Sequence, residues 1–249
     1  MRYCPAMSSV ELLAALSLPP IPLGIPPRPD LAGLTVDPDE PMLRIPATDR
    51  LLPRATLLLR GVPGSTRSLW LRKSVLERLF VAASLLPEGF SIIVHDAWRS
   101  TIAQRSLSQE ANRLAAELGL DGASFAFNPD DPATDLGYPT DDPPHRTGGA
   151  VDVELGGPDG SVWPLAVPFD GISAVTAAAA LESLPDAPPE ALLGRRLLYS
   201  VLTRAGFTNY PAEIWHYDFG NAFWRHFGGL HAGPMYRSLE ASPERSDTP

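Results

Sequence analysis

"PPHRTGGAVDVEL", residues 143–155, places a histidine, a glycine pair and a run of alternating apolar and acidic residues side by side. The run AVDVEL has the period of a β-strand, so we expect its valines and leucine on one buried face and Asp152 on the other. Gly148 and Gly149 permit a tight reversal before that strand. The stretch therefore predicts a strand entered from a turn that brings His145 close to Asp152.

A second histidine lies in the aromatic stretch "EIWHYDF", residues 213–219, which predicts another strand. If His216 joins His145 and Asp152, the group offers two imidazole nitrogens and one carboxylate oxygen. Three protein ligands leave a fourth position for water, which is typical of a catalytic zinc site, although the same donors also suit cobalt, nickel or iron. Zinc lowers the pKa of its bound water to about 7. We therefore predict one zinc ion per chain at a hydrolytic centre.

Hydrolysis also needs a group that takes a proton from water and passes it to the leaving group, and Glu213 is the nearest carboxylate. In a regular strand, Glu213 and His216 would face opposite sides. Pro211 favours an irregular chain at this point. We therefore expect Glu213 to reach the site through a departure from regular strand geometry.

The stretch "FSIIVHDAWRS", residues 90–100, predicts a short strand with polar residues at its end. Arg99 is interpreted as a fixed cation facing the oxyanion that forms when water attacks a carbonyl group. Asp96 is expected either to orient Arg99 or to hold a substrate amine, and His95 is interpreted as structural. Singly, each residue has an ordinary explanation in the core or on the surface, but their joint occurrence favours a hydrolytic site.

The chain of 249 residues has a net charge of −9, and 44% of its residues are hydrophobic. Binding to nucleic-acid phosphates needs clustered lysine and arginine, and no basic run is present, so no nucleic-acid partner is expected. The single cysteine, Cys4, excludes an intramolecular disulfide and fits a reducing compartment. The stretch at 8–20 carries Glu11 inside its apolar run and is interpreted as a short helix rather than an export signal. No apolar run approaches the ~20 residues of a membrane span, so we expect a cytoplasmic protein without a membrane partner.

The remaining patterns indicate the fold class. The strands are few and do not alternate regularly with helices, so we expect an α+β fold with a small, mainly antiparallel sheet flanked by helices. Ser74 and Glu77 predict a capping box at the start of one helix. Helices are predicted within 69–90 and at 101–118, 173–184 and 189–207. The predicted organisation is a proline-rich N-terminal arm at 1–41, a catalytic domain at 42–235 that contains an acidic loop at 128–144, and a disordered tail at 236–249.

Three blocks of the sequence resemble the D-alanyl-D-alanine dipeptidases, which are zinc-dependent D-Ala-D-Ala metallopeptidases. The blocks are "LPEGFSIIVHDAWRS", "HRTGGAVDVEL" and "GFTNYPAEIWHYDFGN", and the resemblance covers about residues 42–225. It implies hydrolysis of the dipeptide D-Ala-D-Ala, a small cell-wall precursor. It further implies that Glu213 is the general base and acid, that Arg99 stabilises the transition state, and that zinc is bound by His145, Asp152 and His216. Asp170, in "PLAVPFD", matches the family pattern and is, with Asp96, a candidate for binding the free amino group.

The chain departs from the family pattern at three places. Pro143 stands where the family has serine, "PLAVPFD" lacks a methionine and glycine, and Ser100 stands where proline is usual. The run "WRSTIAQ" is similar to the related D,D-carboxypeptidases. Two alternatives therefore stay open: a D,D-carboxypeptidase or L-alanyl-D-glutamate peptidase on the same scaffold, and a zinc-binding protein without catalytic activity.

Overall fold

The computed structural model describes residues 8–23, 33–117, 142–171, 173–230, 235–240 and 243. Helices and strands are mixed along this chain, so the predicted α+β class is confirmed. The α-helices are α1 (Ser9–Ala15), α2 (Thr56–Leu59), α3 (Lys73–Ser84), α4 (Thr101–Glu117), α5 (Pro189–Arg204) and α6 (Ala222–Phe227). The strands are β1 (Met42–Arg44), β2 (Leu51–Pro53), β3 (Trp70–Arg72), β4 (Ser91–Asp96), β5 (Ala150–Gly156), β6 (Thr208–Asn209) and β7 (His216–Asp218). Short 3₁₀ helices occupy Pro144–Thr147 and Ala180–Ser183.

The larger sheet has five strands in the order β2, β4, β5, β7, β6. Strand β2 runs parallel to β4, and the other neighbours in this sheet pair antiparallel. Strands β1 and β3 form a separate two-stranded antiparallel sheet. The predicted small, mainly antiparallel sheet is confirmed, and β5, which carries Asp152, is its central strand.

One face of the larger sheet carries the apolar core. Val151, Val153 and Leu155 of β5 are completely buried, in one cluster with residues of β4, α3 and α5. Burying each side chain of this kind contributes about 1.5–3 kcal/mol, so the strand has a strong preference for this orientation. The opposite face of β5, which bears Asp152, is thereby left for polar groups.

The described residues of the predicted N-terminal arm pack against the core. Helix α1 packs against α5, and Leu13 of α1 is completely buried. Farther along the arm, Ile21 is buried beside Ile214 and Trp215 in a second apolar cluster. The described residues of this segment therefore pack against the rest of the chain, and the division at residue 42 stays a prediction.

Residues 235–240 form a strap over the turn before β5, although the sequence predicts a disordered tail from residue 236. Tyr236 is completely buried, and its ring packs against Gly149. The backbone N–H of Tyr236 donates to the carbonyl oxygen of Gly220 at 2.8 Å. For residues 236–240 the structure differs from the predicted disorder, because the buried side chain of Tyr236 anchors them; the rest of the predicted tail, apart from Pro243, lies outside the described residues.

The helices predicted at 101–118 and 189–207 are confirmed by α4 and α5, but most of the helix predicted at 173–184 is absent. Its carbonyl oxygens are taken by Arg195 of α5, a fully buried side chain. The Arg195 guanidinium donates to the carbonyls of Val175 at 2.6 Å and Ala177 at 2.9 Å, and its Nε donates to Leu165 at 2.8 Å. Other backbone groups of the segment bind outside it as well: the N–H of Ala178 donates to the carbonyl of Pro211 at 3.0 Å, and the carbonyl of Thr176 accepts from Ile214 at 3.2 Å, so a regular helix does not form.

The capping box predicted at Ser74 and Glu77 is wrong, because the Ser74 hydroxyl donates instead to the buried carboxylate of Glu40 at 2.6 Å. The acidic loop predicted at 128–144 lies outside the described residues up to residue 141. In the described part of the chain, none of the helices has both the length and the apolar character of a membrane span.

Candidate metal centre and active site

Two histidines and an aspartate converge on the polar face of the larger sheet. His145 comes from the 3₁₀ helix before β5, Asp152 from β5 itself and His216 from the start of β7. Nε2 of His145 lies 3.2 Å from Nδ1 of His216 and 3.3 Å from Oδ2 of Asp152. Nδ1 of His216 lies 2.9 Å from Oδ1 of Asp152. All three side chains are buried, and the three ligand atoms are within 4.8 Å of one another, so the group can hold one metal ion.

The second ring nitrogen of each histidine faces an acceptor outside the group. Nδ1 of His145 donates to the carbonyl oxygen of Ala97 at 2.6 Å, and Nε2 of His216 lies 3.2 Å from the carboxylate of Asp218. Asp218 in turn accepts a hydrogen bond from Asn221 at 2.7 Å. Acceptors in these places hold the proton on the outer nitrogen and leave the inner nitrogen available as a ligand. The donor set therefore fits a divalent metal ion.

The electrostatics of the group favour positive charge at its centre. Burial by itself would lower the pKa of His216, but the carboxylates of Asp218 and Asp152 raise it well above its ordinary value. Burial by itself would raise the pKa of Asp152, but His145 and His216 lower it well below its ordinary value. Buried carboxylates need a positive partner, and a bound metal ion supplies one.

The turn that carries His145 requires both glycines predicted from the sequence. Gly148 has a φ of +73°, and a Cβ added there would lie 2.6 Å from the sulfur of Met42. A Cβ added at Gly149 would lie 2.6 Å from the carbonyl oxygen of Phe219. Because neither position has room for a side chain, only glycine allows this close reversal into β5.

A β-bulge in β4 sets the neighbours of Asp152. Val94 pairs with Val153, whereas Asp96 pairs with Asp152, so β4 has one extra residue at this point. Bulges re-aim side chains and are frequent next to active sites. Beyond the bulge, Arg99 donates from Nε to Asp96 and from Nη2 to Oδ2 of Asp152 at 3.1 Å.

Arg99 is thus a held cation beside the candidate metal site. Its backbone N–H donates to the carbonyl oxygen of His145 at 3.2 Å, and its Nη1 lies 3.4 Å from Oε1 of Gln104. Burial by itself would lower the pKa of Arg99, but Asp96 and Asp152 raise it above its ordinary value. The side chain of Asp96 is only 4% exposed, so its geometry favours orienting Arg99 over binding a substrate amine.

Glu213 lies in an irregular segment, as its position relative to His216 required. Strand β7 begins only at His216, and the chain at 211–215 is built of turns and bends. The backbone N–H of Glu213 donates to Tyr210 at 3.0 Å, and the side chain of Asn209 donates to the carbonyls of Glu213 and His216, each at 2.9 Å. These bonds place Glu213 in the wall of the cavity that His216 also lines.

The environment of Glu213 suits proton transfer near neutral pH. The pKa of Glu213 is raised to about 7: burial is the largest cause, and the negative charges of Asp152 and Asp170 add to it against a lowering by His216 and Arg99. A carboxyl group with a pKa near the working pH can both accept and release a proton during a reaction.

One cavity of about 390 Å³ is lined by Glu213, Arg99 and the three candidate metal ligands. Asp170 lies in its wall with a side chain that is 43% exposed, and Arg60 donates a hydrogen bond to its carboxylate. Asp170 has a φ of +61°, the left-handed conformation, which places it at the tip of a tight turn. Of the two predicted candidates for binding an amine, the geometry therefore favours Asp170 over Asp96.

Two of the departures from the family pattern have local structural explanations. The hydroxyl of Ser100 accepts the backbone N–H of Ala103 at 3.1 Å and donates to the carbonyl of Gly64 at 2.8 Å, so Ser100 caps the start of α4. Pro143 directly precedes the 3₁₀ helix Pro144–Thr147, with a φ of −53° that suits proline. Both residues serve the backbone that carries the site.

Some supporting residues were not assigned a role from the sequence. Strand alternation places Asp218 on the face of His216, which was the available signal for its contact with the imidazole. The interpretation of His95 as structural did not include its buried contact with Glu154, at 2.7 Å. Glu154 contacts His95 on β4, and Asn209 binds the carbonyl of His216 on β7. No local sequence pattern predicts either contact.

A buried His, Asp and His group, with a carboxylate and an arginine in the same cavity, is typical of a metal-dependent hydrolase. The comparison with protein families agrees: the model of the D-ala-D-ala dipeptidase family matches residues 61–228, which contain every candidate site residue named above. The chain belongs to this family of metallopeptidases, and it is a peptidase. Among curated proteins, no relative matches the chain.

Proposed function

We propose that this protein is a zinc-dependent dipeptidase that hydrolyses D-Ala-D-Ala to two molecules of D-alanine. The observation that carries the proposal is the convergence of Glu213 and Arg99 with His145, Asp152 and His216 on one cavity, in a chain of the D-ala-D-ala dipeptidase family. The small size of the proposed substrate and the single cysteine of the chain favour a cytoplasmic location. The net charge of −9 favours a protein without a nucleic-acid partner, and we propose no membrane partner.

His145, Asp152 and His216 would hold the zinc ion, with two nitrogens and one oxygen as ligands. When bound, zinc supplies a Lewis acid for the peptide carbonyl and makes hydroxide available near neutral pH. Ala97 and Asp218 keep the two imidazoles in the tautomers that this binding needs.

Glu213 moves the proton in the proposed reaction. Its carboxylate takes a proton from the attacking water while the water oxygen forms a bond to the carbonyl carbon. The carbon–nitrogen bond then breaks, and Glu213 passes the proton to the amine of the leaving D-alanine. In the metal-free protein burial raises the pKa of this carboxyl group to about 7, so the cavity itself favours a carboxyl group that can accept and release a proton.

Arg99 faces the negative charge that develops on the carbonyl oxygen. Because Asp96 and Asp152 hold its guanidinium in place, little reorganisation is needed when the charge forms. Removal of one such donor typically costs about 2.7–4 kcal/mol of transition-state stabilisation. Asp170, in the cavity wall, would bind the free ammonium group of the dipeptide.

The test combines metal analysis with D-alanine release from D-Ala-D-Ala, for the wild type, Glu213→Gln and His216→Ala. We expect one zinc per wild-type chain, retention of zinc without turnover in Glu213→Gln, and loss of both in His216→Ala. Turnover that survives in Glu213→Gln would overturn the assigned proton transfer. If the wild type binds zinc but releases no D-alanine, and Glu213→Gln behaves in the same way, the chain is a zinc-binding protein without catalysis.

The peptide specificity is tested separately with an N-acetylated D-Ala-D-Ala and a muramyl pentapeptide. The proposal expects neither to be cleaved at a rate comparable to the free dipeptide. Release of terminal D-alanine from the pentapeptide would favour the D,D-carboxypeptidase alternative, for which the similarity of "WRSTIAQ" was the motive.

A further inference from the structure

We propose that His95 and Glu154 are positioning residues that hold the turn bearing Asp170, and so determine the preference of the site for peptides with a free ammonium group. The inference rests on the proposed dipeptidase function and names two residues that the proposed chemistry does not use. It concerns a buried pair on the sheet, directly behind the wall of the cavity.

His95 and Glu154 lie on the neighbouring strands β4 and β5 and are only 5% and 6% exposed. Nε2 of His95 lies 2.7 Å from Oε2 of Glu154. The other ring nitrogen of His95, Nδ1, is 2.8 Å from the hydroxyl oxygen of Thr56. Nδ1 of the imidazole is therefore hydrogen-bonded to Thr56, Nε2 lies against the carboxylate of Glu154, and Oε1 of Glu154 remains for another partner.

That partner is the turn at 168–171. The backbone N–H of Phe169 donates to Oε1 of Glu154 at 3.1 Å. The ring of Phe169 stacks on the imidazole of His95, with 4.6 Å between ring centroids and 11° between planes. The pair thus holds Phe169 by its backbone and by its side chain, and the next residue is Asp170.

Asp170 needs such support because its backbone is strained. A φ of +61° is uncommon for a residue with a side chain, and a conformation of this kind persists only where the surrounding structure fixes it. The N–H of Gly171 closes the turn on the carbonyl of Pro168 at 3.0 Å, but that bond does not fix the turn to the sheet. Glu154 and His95 supply the link to the sheet.

Stability alone is a weak reason for a buried pair of ionisable groups. Taking two ionisable groups out of water costs free energy that their attraction often does not repay, and apolar residues of similar volume commonly stabilise a core as well or better. A carboxylate can accept a hydrogen bond from the backbone N–H of the turn and so fix the position of Asp170. An apolar residue cannot make this bond.

The consequence concerns recognition of the substrate's ammonium group. An aspartate selects an ammonium ion only if its carboxylate is held at the correct distance, because the strength of an ion pair depends on geometry and desolvation. Loosening the turn should therefore weaken binding of D-Ala-D-Ala more than binding of an analogue without the amine, and should leave the chemical step nearly intact.

The experiment uses the zinc-loaded full chain and two ligands, D-Ala-D-Ala and N-propionyl-D-alanine, which has a hydrogen in place of the ammonium group. The readout is the ratio of the inhibition constant of N-propionyl-D-alanine to the KM of D-Ala-D-Ala. The first variant is the double substitution His95→Phe and Glu154→Leu, which keeps the ring stack and removes both ionisable groups together. A second variant, Phe169→Leu, removes the stack and keeps an apolar side chain at this partly buried position.

We expect the double variant to lower this ratio roughly tenfold, the effect of loosening one charge-assisted hydrogen bond, with kcat changed much less. Phe169→Leu should lower it in the same direction and by less. In an Asp170→Asn background, the double substitution should have no further effect on the ratio, because His95 and Glu154 act through Asp170.

The matched control is Glu40→Gln, since Glu40 is also a buried carboxylate, 7% exposed, and binds Ser74 and Tyr236 rather than the turn. It should leave the ratio at the wild-type value. If the double variant and Phe169→Leu reduce stability or kcat but keep the wild-type ratio, the pair is only structural and the inference is overturned. A wild-type protein that releases no D-alanine from D-Ala-D-Ala would instead overturn the proposed function, and this inference with it.

Discussion

Replacement of Glu213 by glutamine should stabilise the metal-free protein at alkaline pH while abolishing its activity. The pKa of Glu213 is raised from 4.5 to about 7 in the folded protein, mainly by burial. A raised pKa means that the folded state binds this proton more tightly than the unfolded state does. Folding stability from this group is therefore greatest at low pH and is lost as the pH rises from 4.5 towards 7.

The size of the effect follows from the shift. A shift of this size corresponds to a destabilisation of about 3 kcal/mol by the ionised carboxylate above pH 7, and this value is a ceiling because Glu213 retains some contact with solvent. Glutamine has nearly the same shape and no charge, so Glu213→Gln removes the penalty. The variant should gain stability over the wild type by up to about 2 kcal/mol more at pH 8 than at pH 5.

The assay is urea unfolding of both proteins after removal of metal, at several pH values between 5 and 8. Other titrating groups contribute equally to both proteins and cancel in the difference. Glu88→Gln, at an exposed position, is the control and should give a difference that does not depend on pH. A flat difference for Glu213→Gln as well would refute the assignment of Glu213 as a carboxyl group adjusted to proton transfer at neutral pH.

Three further outcomes are expected from the contacts around the site. Asp218→Asn should lower zinc affinity about 10–100-fold in a chelator competition, because Asp218 faces Nε2 of His216; unchanged affinity would exclude that supporting role. Tyr236→Ala should lower the free energy of unfolding by about 3 kcal/mol in urea, since the buried ring anchors the strap, whereas a disordered tail would give no change. Gly148→Ala should cost more than about 1 kcal/mol, because its φ is +73° and a Cβ would meet Met42; a neutral result in thermal unfolding would contradict the required glycine turn.

The candidate metal ligands could be predicted because each lies in a short stretch whose residue types and pattern are local. Strand alternation put Asp152 on the polar face, the glycine pair predicted the reversal at His145, and both features are present. The position of Glu213 needed more than alternation. Asn209, from β6, binds the carbonyl of Glu213 within the irregular segment and that of His216 directly after it, and so fixes the course of the chain at the cavity.

The wrong predictions share a physical cause. The alanine-rich run at 173–184 has high intrinsic helix propensity, yet its carbonyls bind Arg195, which lies in a different helix. The polar segment after residue 235 lacks a local pattern for order, yet Tyr236 finds a place against the glycine turn. In both cases a long-range contact contributes more free energy than the local preference.

By itself, the sequence determined the α+β class, the strand that carries Asp152, the two histidines and the aspartate of the candidate metal site, and the family resemblance. These depend on periodicity, glycine conformation and ligand chemistry, which act over a few residues. Only the tertiary structure decided which side Glu213 faces, which aspartate lines the cavity, and how His95 and Glu154 support the turn at Asp170. Such features arise from contacts between strands and loops distant in the chain, and no short stretch of sequence encodes the distance between them.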